Sequence, residues 1–267
     1  MELSPGCKYC QEGTWLCLFM GMRCNCDCWF CSRPLRNDAE EESPDTYLGM
    51  TFEELAQAAV DQEMKGVAYS GGEPLMYLKK VIGIAREMKK ALPSMYQWIY
   101  TNGLLLDYPT IDMLRLAGIR EIRVNPAATN FNADVIDKLR WVDERGLKIT
   151  VEMPAIPEVK EWLLDKKGIY KILGQGVEQL NLAELYIKRQ ETLDYLKGHD
   201  FYESPIGLTP VWSKDITIEV MNFVLQHNIP ILVNSCSTSK KLIQINNRKH
   251  SPDLMALDKF QKKPKPP

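Results

Sequence analysis

The chain has 267 residues, 45% of them apolar and 25% charged, and carries a formal net charge of −2 at pH 7. This composition supplies a large core and excludes disorder over most of the length. No apolar run approaches the roughly 18 residues that cross a bilayer, and the start, Met-Glu-Leu-Ser-Pro, lacks the basic and apolar regions of a secretory leader. Eight cysteines in such a chain point to the reducing cytoplasm, where clustered thiols serve as metal ligands rather than as disulfides.

Residues 1–14 carry Cys7-Lys-Tyr-Cys10 without periodicity and read as a loop holding a metal half-site. Thr14–Met20 reads as a buried strand that runs past Gly21 into a cysteine-rich loop. The five acids between Asn37 and Asp45 mark a solvated loop. Thr51 and Glu54 form a capping box that opens a helix with Leu55, Ala59 and Val60 on its apolar face, stopping at Gly66. The strand 67–70 then leads directly into Gly71-Gly72-Glu73-Pro74.

The alternation continues. A helix with Leu78, Val81, Ile82, Ala85 and Met88 on one face precedes the strand 98–101, and Asn102-Gly103 turns the chain. Helices at 110–117, 134–144 (capped by Asn132) and 161–173 precede strands at 121–125, 147–153 and 179–184. A helix at 215–227 precedes a candidate seventh strand from Ile229 that ends at Cys236. From Lys240 onward eight Lys or Arg face only Asp253 and Asp258, a basic tail that ends in Lys-Pro-Lys-Pro-Pro.

Strands joined through helices build parallel βαβ units with right-handed crossovers. The expected fold is therefore α/β: a partial (βα)6 TIM-like barrel over residues 15–239, with an extra C-terminal strand. The expected extensions are a cysteine-bearing segment at 1–14 and the basic tail at 240–267.

Cys24, Cys28 and Cys31 have the spacing C-x3-C-x2-C. Three thiolates at that spacing can hold three irons of a [4Fe-4S] cube and leave the fourth iron open. In a parallel barrel the loops after the strands converge on one mouth, so this loop, Gly71-Gly72-Glu73-Pro74 and Thr101-Asn102-Gly103 face the same opening. Gly71 and Gly72 let backbone approach a ligand, and Glu73 offers an acceptor for an ammonium group.

With these motifs the sequence resembles the radical S-adenosylmethionine (SAM) superfamily: the three cysteines with Phe30 before the last, Gly-Gly-Glu-Pro at 71–74, Thr-Asn-Gly at 101–103, and the strand order to about residue 186. The resemblance implies a radical SAM enzyme. Its [4Fe-4S] cluster passes one electron to SAM, and the resulting 5′-deoxyadenosyl radical abstracts hydrogen from a substrate. It also implies that Phe30 approaches the adenine, that Glu73 holds the amino group, and that Asn125 and Glu152 contact the ribose or carboxylate. An electron donor such as a flavodoxin or ferredoxin is implied, and the lateral opening of the barrel admits a peptide, protein or RNA substrate. The chain ends resemble an archaeal branch related to pyruvate formate-lyase activating enzymes and to a methanogen arginine methylase.

Cys7, Cys10 and Cys236, with Cys17 or Cys26 as fourth ligand, are candidates for a second metal or iron-sulfur cluster if both termini pack on one side of the barrel. A rival reading closes Cys24, Cys26, Cys28 and Cys31 into a non-enzymatic iron-sulfur or zinc site. That reading leaves Gly71-Gly72-Glu73-Pro74 without a role.

Overall fold

The computed structural model describes residues 2–32 and 46–249. The acidic loop read between Asn37 and Asp45 and the end of the basic tail lie outside the described residues.

Seven strands form one all-parallel sheet in chain order: β1 (Trp15–Phe19), β2 (Gly66–Ser70), β3 (Tyr96–Thr101), β4 (Ile119–Val124), β5 (Lys148–Pro154), β6 (Gln179–Ala183) and β7 (Leu232–Cys236). Every neighbouring pair is parallel, and β1 and β7 are the two edges, so the barrel is open at the side.

Residue alternation along the strands separates two environments. One face carries Leu16, Leu18, Val67, Tyr69, Ile99, Ile122, Val151, Leu180 and Leu182, all fully buried. These pack in one cluster with residues of the surrounding helices such as Leu55, Val81, Ile84, Ile111 and Leu139. Each such aliphatic side chain contributes about 1.5–3 kcal/mol by leaving water. The other face forms the lumen. On the β1 side it is lined by Cys17, Phe19, Ala68 and Trp98, and toward β7 by Glu121, Arg123, Thr150, Gln179, Asn181 and Asn234, all buried.

The helices follow the sequence signals where these are strong. Thr51 and Glu54 form the full capping box of α2 (Phe52–Asp61), although the helix ends well before Gly66, which instead opens β2. The apolar face read for α3 (Leu78–Ala91) is buried at Val81, Ile82, Ala85 and Met88, and α4 (Tyr108–Ala117) follows β3. Asn132 caps α5 (Ala133–Asp143).

Four features depart from the reading. Residues 5–12 form a helix, α1 (Pro5–Glu12), rather than a loop. Ser4 caps it, Pro5 occupies the first turn, and Gly13 ends it at φ 74°. The helix expected at 161–173 is split into α6 (Pro157–Leu164) and α7 (Gly168–Leu173) by Lys167 at φ 57°. Between β6 and α9 (Val211–Gln226) lie a short helix α8 (Gln190–Tyr195) and a hairpin pairing Phe201–Ser204 with Gly207–Pro210. Finally, α10 (Thr238–Asn246), capped by Ser237, runs across the point where the tail was expected to begin.

Helix α1 closes the lumen at the amino ends of the strands. Ser4 N donates to Gln179 Oε1 at 2.7 Å, and Arg123 Nη2 donates to Ser4 Oγ at 3.2 Å. The C-terminal end of α10 fastens this plug, since Asn247 Nδ2 donates to Gln11 O and Lys249 N to Gly13 O.

Candidate active site

The chain leaving β1 stays zipped to the chain leaving β2. Met20 N donates to Ser70 O, Gly72 N to Gly21 O and Glu73 N to Arg23 O, each at 2.8 Å. A Cβ on Gly71 would stand 2.5 Å from Gly21 O, and one on Gly72 2.1 Å from Arg23 O. Gly71 also holds φ 138°. The sequence reading gave the space left by these glycines to a ligand, but the structure gives it first to the cysteine loop. Their missing side chains seat residues 20–23 beside the Gly-Gly-Glu turn. Gly21 is itself packed against the Tyr77 ring, whose hydroxyl accepts from Arg23 N at 2.9 Å.

Glu73 is 1% exposed. Its Oε1 accepts from Leu75 N at 3.0 Å and Thr101 Oγ1 at 2.8 Å, and its Oε2 accepts from Asn102 N at 2.7 Å. A carboxylate offers about four lone-pair sites, so one remains on Oε2. Burial raises the Glu73 pKa, and the bonds from Asn102, Leu75 and Thr101 oppose that rise. Pro74 is buried and opens a single 3-10 turn (Pro74–Tyr77) that fixes this geometry.

Asn102 joins the third strand end to the other two. Its Oδ1 accepts from Leu104 N at 3.0 Å, so its amide nitrogen faces the cysteine loop. There Nδ2 donates to Asn25 Oδ1 at 2.6 Å and lies 4.0 Å from Cys24 Sγ.

These groups open onto a cavity of ≈ 400 Å3. Cys24, Cys26, Cys28, Cys31, Phe30, Gly71, Gly72 and Glu73 line its upper part, and Asn125, Tyr100, Arg123 and Glu152 line the deeper part. Burial pushes the Cys28 thiol up to about 12 and the Cys26 thiol up to about 11, and Cys24 is raised for the same reason. A soft metal centre would displace those protons, because thiolate is the ligand form. Among the described residues no three Cys, His, Asp or Glu converge on a single ion position. A cube asks each thiolate for a different iron, so its three ligands share no single centre.

Two observations fit a bound cofactor. The three cysteines supply soft donors at the mouth, and the buried Asn125 Oδ1, on the cavity wall, has no hydrogen-bond partner. A buried acceptor left unmade costs about 1–3 kcal/mol, which a ligand donor would recover.

Glu152 sits lower than the strand end and is tied into the lumen network. Its Oε2 accepts from Arg123 Nη1 at 3.2 Å and Asn181 Nδ2 at 2.9 Å. Arg123, 3% exposed, also pairs with Glu121 at 2.8 Å and lies over the Trp98 and Tyr100 rings. The sequence reading did not single out Arg123. Its signal was an Arg between apolar residues in a strand, a position where a charge needs buried partners.

The remaining cysteines divide. Cys17 and Cys26 line the cavity, while Cys7 lies on the floor. Cys7 Sγ is ringed by Gln179 Nε2 at 3.2 Å, Arg123 Nη2 at 3.4 Å and Asn181 Nδ2 at 3.5 Å, with Asn234 Nδ2 at 3.9 Å. The same Asn234 amide lies 3.4 Å from Cys236 Sγ, so both chain ends do reach one side of the barrel. Burial pushes the Cys236 thiol up to about 12 and Cys10 well above its ordinary value.

Comparison with known proteins agrees with this arrangement. The profile of the radical SAM superfamily matches residues 18–166. A Methanocaldococcus jannaschii protein provisionally named a glycyl-radical enzyme activating enzyme is 25% identical over 262 residues, covering 92% of this chain and 67% of its own. The PqqA peptide cyclase of Gluconobacter oxydans is 25% identical over 188 residues, 64% of this chain and 50% of its own length. Among solved structures, Streptococcus suis SuiB bound to S-adenosylmethionine superposes with a TM-score of 0.61 at 15% identity, over 83% of this chain and 50% of SuiB. Escherichia coli coproporphyrinogen III oxidase gives 0.53 at 13% identity, over 84% of this chain and 56% of the oxidase. The chain thus spans only about half the length of these structures, and at such identities they show the fold. The residues matched by the family profile include both the cysteine loop and the Gly-Gly-Glu turn on which it is seated. The chain belongs to the radical SAM superfamily and is a radical SAM enzyme.

Proposed function

We propose that Cys24, Cys28 and Cys31 hold a [4Fe-4S] cluster, that SAM chelates its fourth iron, and that the substrate is a peptide or protein. When bound, the cluster would supply to SAM one electron received from a donor such as a flavodoxin or ferredoxin, breaking a carbon–sulfur bond of the sulfonium.

The chain's own residues do the holding. The open site on Glu73 Oε2 accepts an ammonium proton, and Asn125 Oδ1 accepts a hydroxyl or amino donor. Phe30 presents its ring to the upper cavity, and the loop residues Gly71 and Gly72 bring the cysteines within reach of both. Trp29, stacked on Tyr195 at 4.7 Å and accepting from Thr192 Oγ1 through its carbonyl, fastens α8 to the loop.

The orphaned Asn125 Oδ1 beside a cysteine loop zipped to Gly71–Glu73 carries this reading. The two named relatives, an activating enzyme and a peptide cyclase, support a peptide or protein substrate. In this reading the Cys7 sulfur is the acceptor for the Gln179, Arg123 and Asn181 donors, and the cluster on Cys24, Cys28 and Cys31 is the one that SAM needs.

Anaerobic reconstitution tests the assignment. About four irons per chain, SAM-dependent 5′-deoxyadenosine release after dithionite reduction, and loss of iron in Cys24→Ala, Cys28→Ala and Cys31→Ala but not in Cys26→Ala are expected. Loss of iron in Cys26→Ala as well, with no SAM cleavage by the wild type, would establish the closed four-cysteine site instead.

A further inference from the structure

The motif Thr101-Asn102-Gly103 holds one residue that touches both halves of the site. Thr101 binds Glu73, but Asn102 binds Glu73 through its backbone and reaches the cysteine loop through its side chain. Asn102 is 5% exposed, and its amide cannot turn over without losing two bonds, because Oδ1 is held by Leu104 N and Nδ2 by Asn25 Oδ1. An amide nitrogen has two hydrogens. One is committed to Asn25 at 2.6 Å, and the other is left for Cys24 Sγ, 4.0 Å away, where it adds to the backbone N–H of Cys26 at 3.4 Å.

We infer that Asn102 is a positioning residue that raises the reduction potential of the cluster through its amide N–H on Cys24, in addition to the Cys26 backbone donor, while its backbone N–H fixes the carboxylate that holds SAM. This rests on the assignment of Cys24 as a cluster ligand. Reduction adds negative charge to the cluster, and part of that charge resides on the ligand sulfurs. A donor aimed at the Cys24 sulfur therefore stabilises the reduced form more than the oxidised form and raises the potential. No proton or electron passes through Asn102.

The backbone bond from residue 102 to Glu73 survives any substitution there except proline, so side-chain variants separate the two duties. Asn102→Ser replaces the amide with a hydroxyl one bond shorter, which ends well short of the sulfur, and Asn102→Asp removes the N–H donor and places a charge near the sulfur while keeping the acceptor for Leu104 N. The reconstituted wild type and both variants are titrated by EPR without SAM, with iron content measured alongside. The expected order of midpoint potentials is wild type, then Ser, then Asp. In the Asp variant the reduced-to-oxidised ratio at the wild-type midpoint falls about tenfold, about 59 mV for a one-electron couple. Thr101→Ala, which loses a Glu73 contact but no Cys24 contact, should keep the wild-type potential.

Equal potentials at equal iron content would overturn the proposal, and so would loss of the cluster from both Asn102 variants, which would mark a purely structural residue. If the wild type itself takes up no iron, the ligand assignment fails instead, and iron content reports that separately.

Discussion

The backbone at Gly72 approaches Arg23 so closely that a Cβ on residue 72 would lie 2.1 Å from the Arg23 carbonyl oxygen. Because that oxygen also accepts from Glu73 N, the loop cannot retreat without giving up the bond that aligns it. Gly72→Ala should cost about 1–3 kcal/mol, the range for overpacking a tight contact. Urea denaturation should show that loss, and iron uptake should fall to a small fraction of the wild-type value. Unchanged iron uptake would mean that the loop is seated by other contacts.

Glu73→Gln preserves shape but turns an NH2 group toward the Asn102 or Leu75 N–H. The lost charge-assisted bond and the unpaired donor should cost about 1–3 kcal/mol, and SAM affinity should fall at least about tenfold, read by calorimetry. The pH response also changes. Because burial raises the Glu73 pKa, the folded chain holds this proton more tightly than the unfolded chain does. That contribution to stability is complete below the ordinary value of 4.5 and is lost as pH rises through the raised value. Urea midpoints of the metal-free wild type should include this decline, and those of Glu73→Gln should lack it.

Arg123→Met should be among the most damaging lumen substitutions. It takes the cationic partner from Glu121, which is 0% exposed and keeps the Thr150 and Tyr96 hydroxyl donors, and from Glu152, which keeps Asn181. Breaking one side of a buried pair costs about 3–5 kcal/mol, measurable as a drop in the denaturation midpoint. Arg123→Lys should recover little, since a single ammonium cannot reproduce the forked contacts to Glu121, Glu152, Tyr100 and Ser4.

Cys7→Ser should be close to neutral, because a hydroxyl accepts from the same amides, whereas Cys7→Ala leaves one N–H each of Gln179 and Asn181 without its acceptor and should cost about 1–3 kcal/mol. Both variants should bind as much iron as the wild type. A matched loss of iron in the two would show that Cys7 ligates a metal.

The sequence made the barrel legible because short apolar runs, buried on both faces, alternate with helices that carry an apolar stripe, and the capping residues at Thr51 and Asn132 mark helix starts. Helix α1 escaped because only Gly6 and Cys7 of its eight residues are buried, too few for a periodic stripe. Its signals were instead Ser4-Pro5 and Gly13. The break at Lys167 was illegible in principle, since lysine carries no preference for a left-handed backbone and tertiary packing imposes it. At the site, residue types announced the cysteines and Glu73. They did not announce the lumen network, because it pairs Arg123, Glu152 and Asn181 from three different strands. Nor did they show that the glycines that line the cavity also seat the backbone of residues 20–23.

The floor of the barrel bears on the order of folding. Ser4 meets Gln179 across 175 residues, and Cys7 meets Asn234 across 227. An eight-residue helix is too short to persist alone in water, and contacts at such separation form only after their partners have been synthesised and placed. Helix α1, which precedes these partners in the chain, is therefore among the last elements to become ordered.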